Sequence, residues 1–137
     1  MPAITWGPTL EVGIETIDKQ HRRWVELFNA LDDAVKEGQA EKALGEALEA
    51  YIEYSQYHFK TEEALMRQAK VDAEEYDFHL REHKVFRDQI VIYRDRHSAG
   101  FLKMSSQVME YLRQWLLAHV TGTDRGYIQP IKDAGIA

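Results

Sequence analysis

The chain has 137 residues, of which 45% are apolar and 29% charged, and its formal net charge is −6 at pH 7. This length and composition predict one globular domain, and the acidic balance argues against binding to nucleic acid or to an anionic membrane surface. Cysteine is absent, which excludes disulfides, thiolate-bound zinc and cysteine-bound iron–sulfur clusters. Neither a membrane span nor a signal peptide is visible in the sequence, so we expect a cytoplasmic protein.

Apolar residues recur at intervals of three and four, which predicts an all-α fold. Residues 1–16 contain two prolines and two glycines, and we expect them to form an extended arm that Trp6 docks onto the helices. Asp18 is a candidate cap of the first helix. The predicted helices are about Ile17–Lys36, Glu41–Met66, a third from the capping box Asp72-x-x-Glu75 to His97, and a fourth that follows Ser98-Ala99-Gly100 and carries Phe101, Ser105, Val108, Leu112, Trp115 and His119.

Short connections between such helices favour antiparallel neighbours, so we predict an up-down-up-down four-helix bundle. The bundle spans about residues 17–121 of a single domain that covers 1–137, and residues 122–137 form a C-terminal segment. The apolar positions leave no exposed stripe that argues strongly for assembly, and we therefore expect a monomer.

Five of the six histidines and two carboxylates follow a regular pattern. Each group falls near the start of the first or third helix, or near the end of the second or fourth, and in an antiparallel bundle these four places lie at one end. Seven ligands are too many for one tetrahedral zinc ion, but they suit two octahedral ions that share bridging carboxylates. The groups are His21, His58-x-x-x-Glu62, His79-x-x-x-His83 and His119-x-x-x-x-Asp124.

The spacings within these groups support a shared site. Residues four apart lie on one face of a helix, whereas the five-residue step from His119 to Asp124 requires the helix to loosen, as Thr121-Gly122-Thr123 allows. His97 lies 14 residues after His83, about 21 Å along the same helix, and we expect it to be solvated at the opposite end. Any one group alone is explained by a core histidine or a surface pair, but burying all of them without a metal would carry a large desolvation cost.

Aromatic and aliphatic residues flank the candidate ligands in sequence. Most aromatic residues of the helical stripes are expected to pack in the core. We expect four of the large apolar side chains to form the wall of a metal pocket, where they would exclude water. These are Trp24, Phe59, Trp115 and Leu116.

The run Val12-Gly13-Ile14-x-x-Ile17-Asp18-x-Gln20-His21, followed by HxxxE, HxxxH and HxxxxD, resembles the single-domain bacterial hemerythrins. The resemblance implies a non-haem di-iron site with an oxo or hydroxo bridge. His79, His83 and His119 would bind one iron, and His21 and His58 the other, with Glu62 and Asp124 bridging. The second iron would keep one open position, at which dioxygen would bind.

This resemblance implies reversible dioxygen binding for transport, storage or delivery, with no enzymatic activity, and an oxygen-consuming enzyme as a candidate recipient. The same centre could instead serve an oxygen or redox sensor, a di-iron peroxidase or oxidase, or a nitric-oxide-handling protein. Iron storage is a further alternative, and it would require many more than two irons per chain. Zinc or manganese could also occupy these ligands, because ligand identity alone does not select the metal.

Overall fold

The structure is a computed structural model that describes the backbone of residues 3–36, 40–100, 106–123 and 125–135. Within these ranges the chain is almost entirely helical and contains no strand. A 3₁₀ turn in the arm precedes the first helix, and a π-helical turn separates the last two helices. The elements are the 3₁₀ turn Pro8–Leu10, α1 (Glu15–Lys36), α2 (Ala40–Gln68), α3 (Ala73–Ser98), α4 (Ser106–Ala118), the π turn His119–Thr123 and α5 (Arg125–Asp133).

The first four helices form the predicted bundle. Helix α2 packs against both α1 and α3, and α4 packs against α1. The predicted bounds of the first three helices agree with the observed ones to within two residues. The predicted start of the fourth helix, at Phe101 to Ser105, lies outside the described residues. Helix α5, for which the sequence supplied no prediction, packs against α2 and the π turn.

Two apolar clusters fill the bundle. The larger surrounds Trp24, Phe28 and Phe86, which are at most 1% exposed. The smaller brings the arm and α5 onto the ends of α1 and α2, and burying each large aliphatic side chain contributes about 1.5–3 kcal/mol. Its buried members are Val12, Ile14, Ile17, Met66, Tyr127, Ile128 and Ile131. The arm and α5 therefore close one end of the bundle.

The arm is docked by polar as well as apolar contacts. The backbone amide of Ile4 donates to Asn29 Oδ1 at 3.0 Å, and Asn29 Nδ2 donates back to the Ile4 carbonyl at 2.8 Å. Trp6 packs against the larger core cluster, and the guanidinium of Arg22 lies 5.3 Å from its ring centroid, a cation–π distance. The predicted docking of Trp6 is therefore confirmed.

The two predicted helix caps differ from expectation. Asp18 lies inside α1 rather than before it, and its carboxylate reaches back to accept the amides of Val12 at 2.8 Å and Gly13 at 3.1 Å. This contact holds the left-handed turn at Gly13, whose φ is 86°. Asp72 does precede α3, but its side chain makes no capping hydrogen bond, so the predicted capping box is wrong.

On the described surface, three large apolar side chains lie exposed at seven-residue intervals along α3: Phe78, Val85 and Ile92. This exposed row differs from the expectation that the apolar positions leave no such stripe, because these three residues face away from the core. The monomeric state remains a prediction. None of the helices in the described part of the chain is long and apolar enough to cross a membrane.

Replacing Asp18 with Ala is expected to lower the free energy of unfolding by about 1–2 kcal/mol, because two backbone amides of the arm lose a charged acceptor. The matched control is Asp33→Ala, an exposed aspartate of the same helix, for which we expect a change within about 0.5 kcal/mol. Urea unfolding followed by circular dichroism measures both. Equal effects of the two substitutions would show that the arm contact contributes nothing.

Candidate metal centre

Four side chains from three elements converge at the closed end of the bundle. His21 comes from α1, His58 and Glu62 come from α2, and His119 begins the π turn. One potential ligand atom of each lies within 4.8 Å of every other, and all four side chains are at most 1% exposed. These four predicted ligands therefore meet in a site sealed from solvent.

The Nε2 atoms of three imidazoles point at one another. His21 Nε2 lies 3.0 Å from His58 Nε2, and His119 Nε2 lies 3.3 Å from the same atom. Glu62 Oε1 lies 2.9 Å from His119 Nε2 and also contacts His58 Nε2. Three nitrogens and a carboxylate oxygen thus surround one small volume.

The α3 histidines extend this cluster but do not join the group of four. His83 is buried with its ring centroid 5.7 Å from that of His119, and the buried His79 ring lies 6.2 Å from that of His83. His79 Nε2 makes a 2.9 Å hydrogen bond with Glu75 Oε1 at the rim of the site. Asp124, the seventh predicted ligand, lies outside the described residues.

The helix loosens where the sequence predicted. The α-helical geometry of α4 ends at Ala118, and the next five residues, His119–Thr123, form the π turn. Single π turns inside helices occur frequently at functional sites, because they re-aim the side chains that they carry. Here the turn carries His119 into the cluster at the end of α4.

Two aromatic rings stack directly on candidate ligands. Phe59 lies on His83 with centroids 3.9 Å apart and planes 6° apart. Trp115 lies on His119 with centroids 4.7 Å apart and planes 16° apart. Both imidazoles are therefore held against an apolar face that excludes water.

The other two predicted wall residues are fully buried in the same core. The Trp24 ring is 5.5 Å from that of His58 and 5.7 Å from that of His119. Leu116 is 0% exposed and belongs to the same apolar cluster, one turn before His119. The surroundings of the centre are thus apolar on the side that faces the middle of the bundle.

Burial favours the neutral form of three of the imidazoles. It lowers the pKa of His83 and of His119 to about 4, and it lowers the pKa of His21 well below the usual value. For Glu62 burial acts to raise the pKa, but the adjacent His58 and His119 outweigh it and hold the pKa well below its usual range. A neutral imidazole and an ionised carboxylate are the ligand forms that metal binding requires.

Buried polar atoms of the described candidate ligands that lack a hydrogen-bond partner also favour a bound cation. Within the described chain, Glu62 Oε2 and His83 Nε2 are buried polar atoms without a hydrogen-bond partner. A buried carboxylate oxygen and an imidazole nitrogen left in this way are costly in an apolar core. Imidazole and carboxylate ligands suit iron, manganese and zinc, so a metal ion would satisfy both atoms.

The fold and the site together define a helical bundle with a buried histidine and carboxylate cluster that could hold a metal ion. The family profile of the hemerythrin HHE cation-binding domain matches residues 12–130. Bacteriohemerythrin of Stenotrophomonas maltophilia (strain R551-3) is 36% identical over 135 residues, which cover 96% of this chain and 84% of the relative. The chain therefore belongs to the hemerythrin family.

More distant relatives extend the same likeness. A hemerythrin-like protein of Naegleria gruberi is 28% identical over 122 residues, which cover 89% of this chain and 88% of the relative. The crystal structure of a wild-type hemerythrin superposes with a TM-score of 0.84 at 24% identity, covering 94% of this chain and 98% of the other. The latter comparison supports the bundle fold.

The structure adds residues that the sequence analysis did not assign to the site. Gln20 and Glu63 hydrogen-bond to His58 and His83, and Glu75 hydrogen-bonds to His79. Glu75 does lie four residues before His79, which could have indicated the contact. Gln20 and Glu63 act across helices, so no local spacing points to them.

His97 provides a control outside the centre. Its ring is half-buried rather than fully solvated as predicted, and it packs beside Gly45, where an added Cβ would lie 3.1 Å from His97 Cε1. It is not among the four residues whose ligand atoms converge.

Replacing His58 with Ala is expected to abolish most of the stabilisation that a metal ion confers. Binding at 100 times the dissociation constant adds about 2.7 kcal/mol to the free energy of unfolding, and loss of a central ligand removes that occupancy. Thermal unfolding with and without ferrous iron, under anaerobic conditions, measures the difference. His97→Ala should keep the full metal response; a response retained in His58→Ala would place the metal elsewhere.

Proposed function

We propose that this protein binds two iron ions at the centre and binds dioxygen there reversibly, for transport, storage or delivery. The observation that carries the proposal is a cluster of three imidazoles and one carboxylate in a site that is at most 1% exposed. The Nε2 atoms of His58 and His119 contact Glu62 Oε1, and His21 Nε2 lies 3.0 Å from His58 Nε2. Membership of the hemerythrin family supports it. His83, whose ring lies 5.7 Å from that of His119, and the neighbouring His79 are proposed as donors for a second ion.

An iron pair with an oxo or hydroxo bridge would supply the redox-active position at which dioxygen is held. The protein's own residues would hold and shield it. In this proposal His21 and His58 would ligate one iron, and the three histidines of α3 and the π turn would ligate the other. Glu62 would bridge the two, and Asp124, beyond the described residues, is proposed as the second bridge.

The walls of the site favour storage of dioxygen over its consumption. Phe59 and Trp115 cover the faces of two imidazoles, and Trp24 meets the ring of His58 edge to face. An apolar, sealed volume admits a small neutral gas and excludes water, ions and organic reductants. We therefore propose a carrier rather than an enzyme, with an oxygen-consuming enzyme as its recipient.

The experiment is the visible absorption spectrum of the anaerobically reduced, iron-loaded protein before air, after air, and after the oxygen is removed again. The expected result is an absorption band that appears with oxygen and vanishes on its removal, with two irons bound per chain. A band that never forms, or a stable ferric spectrum formed directly, would refute reversible binding.

Making Leu116 polar, as in Leu116→Thr, is expected to speed autoxidation to the ferric form, because a hydroxyl beside the centre admits water. The matched control is Leu112→Thr, another fully buried leucine one turn earlier in α4. The decay of the oxygenated spectrum measures both rates. An unchanged rate in Leu116→Thr, or an equal increase in both variants, would refute the assignment of Leu116 to the pocket wall.

A further inference from the structure

Two of the candidate ligands are held from behind by side chains that the proposed function does not use. His58 Nδ1 lies 2.7 Å from Gln20 Oε1, and His83 Nδ1 lies 2.9 Å from Glu63 Oε2. In each ring this leaves Nε2 as the atom available to the centre. The two supporting groups differ in charge, since one is an amide and the other a carboxylate.

The tautomer of His58 follows from a chain of hydrogen bonds that starts at a backbone carbonyl. The Thr61 hydroxyl donates to the carbonyl of Tyr57 at 3.1 Å, so its oxygen is left to accept from Gln20 Nε2 at 3.2 Å. That contact turns Gln20 Oε1, which can only accept, towards His58 Nδ1. His58 therefore carries a proton on Nδ1, and Nε2 is the nitrogen that faces Glu62 and the centre.

Gln20 is well held for this task. Gln20 is only 7% exposed, and its backbone carbonyl accepts a hydrogen bond from the Tyr54 hydroxyl at 2.9 Å. The contact crosses from α1 to α2, so it also fixes the distance between the helices that carry His21 and His58. The role of Gln20 is therefore to support the His58 ring that it contacts.

Glu63 fixes the tautomer of His83 in the same way, but its supporting group carries a negative charge. A carboxylate accepts the Nδ1 proton of a neutral imidazole, which leaves the lone pair of His83 on Nε2, the buried atom that has no partner in the described chain. The Glu63 side chain is 22% exposed, so its charge is partly solvated. A carboxylate that accepts a hydrogen bond from a ligating imidazole raises the basicity of that imidazole as a metal donor.

We propose that Gln20 and Glu63 are positioning residues that fix the tautomers of His58 and His83, and that their difference in charge makes His83 the stronger metal donor. The inference rests on the metal centre of the proposed function, but it does not depend on dioxygen. The neutral amide keeps the His58 side less basic, so the two sides of the centre are unequal before any ligand binds.

The test exchanges the two supports and reads the tautomers in the metal-free protein. Long-range ¹H–¹⁵N correlation spectra report which nitrogen of each imidazole carries the proton. Gln20→Met keeps the length of the side chain but removes the acceptor, and it should release His58 from the Nδ1–H form while leaving His83 unchanged. Gln20→Glu restores an acceptor and should restore the Nδ1–H form.

Zinc affinity, measured by competition with a chelator, gives the second readout. Gln20→Met and Glu63→Gln should each weaken zinc binding by about 10–100-fold, the usual cost of losing such a partner. Gln20→Glu should bind zinc at least as tightly as the unmodified protein. Gln56→Met, at an exposed glutamine of α2, is the matched control and should leave affinity and tautomers unchanged.

The proposal is overturned if His58 keeps the Nδ1–H form in Gln20→Met, or if Gln20→Glu binds zinc no better than Gln20→Met. If Gln20→Met does not fold, the comparison of Gln20→Glu with Glu63→Gln still decides, because equal zinc affinities there would remove the role of charge. Failure to bind dioxygen would leave these results intact, so the two proposals fail separately.

Discussion

The structure depends on an ionised carboxylate held inside a helical bundle. Glu62 is 0% exposed, and its pKa is held below the usual range despite burial. A buried carboxylate costs several kcal/mol unless partners compensate its charge, and here His58 and His119 contact Glu62 Oε1. Its second oxygen, Oε2, has no hydrogen-bond partner in the described chain. The closed end of the bundle therefore favours a bound cation. In such a site the free energy of metal binding contributes directly to the stability of the fold.

The same packing that stabilises the bundle also prepares the site. The stacking of Phe59 on His83 and of Trp115 on His119 opposes rotation of each imidazole about its Cβ–Cγ bond, because that rotation would drive the ring into the stacked aromatic face. Ring stacking contributes to the stability of the core. Here it also aligns the ligand nitrogens and keeps water away from them. Packing and ligation are therefore not separable at this end of the molecule, and a substitution in the wall changes both.

Periodicity predicted the helices. The common end of the bundle predicted that His21, His58 and His119 would meet, whereas His79 and His83 lie beside that group without joining it. The helical loosening after His119 was also predictable, because a five-residue step cannot keep two side chains on one face of a regular helix. The support of His58 by Gln20 was not predictable, since it depends on the distance and rotation between α1 and α2. The contact of Asp18 with the arm was missed for a similar reason: it depends on the turn at Gly13, which the apolar pattern does not encode.

Helix α2 carries more of the centre than any other described element. It supplies His58 and Glu62 to the site, Glu63 to the back of His83, and Thr61 to the orientation of Gln20. Because these four residues share one rigid helix, their relative positions are set by helical geometry alone. The remaining donors approach α2 from α1, α3 and the π turn, so the spacing between helices decides how far they reach. The geometry of the centre is therefore most sensitive to the contacts between α2 and its neighbours, of which the one through Gln20 lies closest to the ligands.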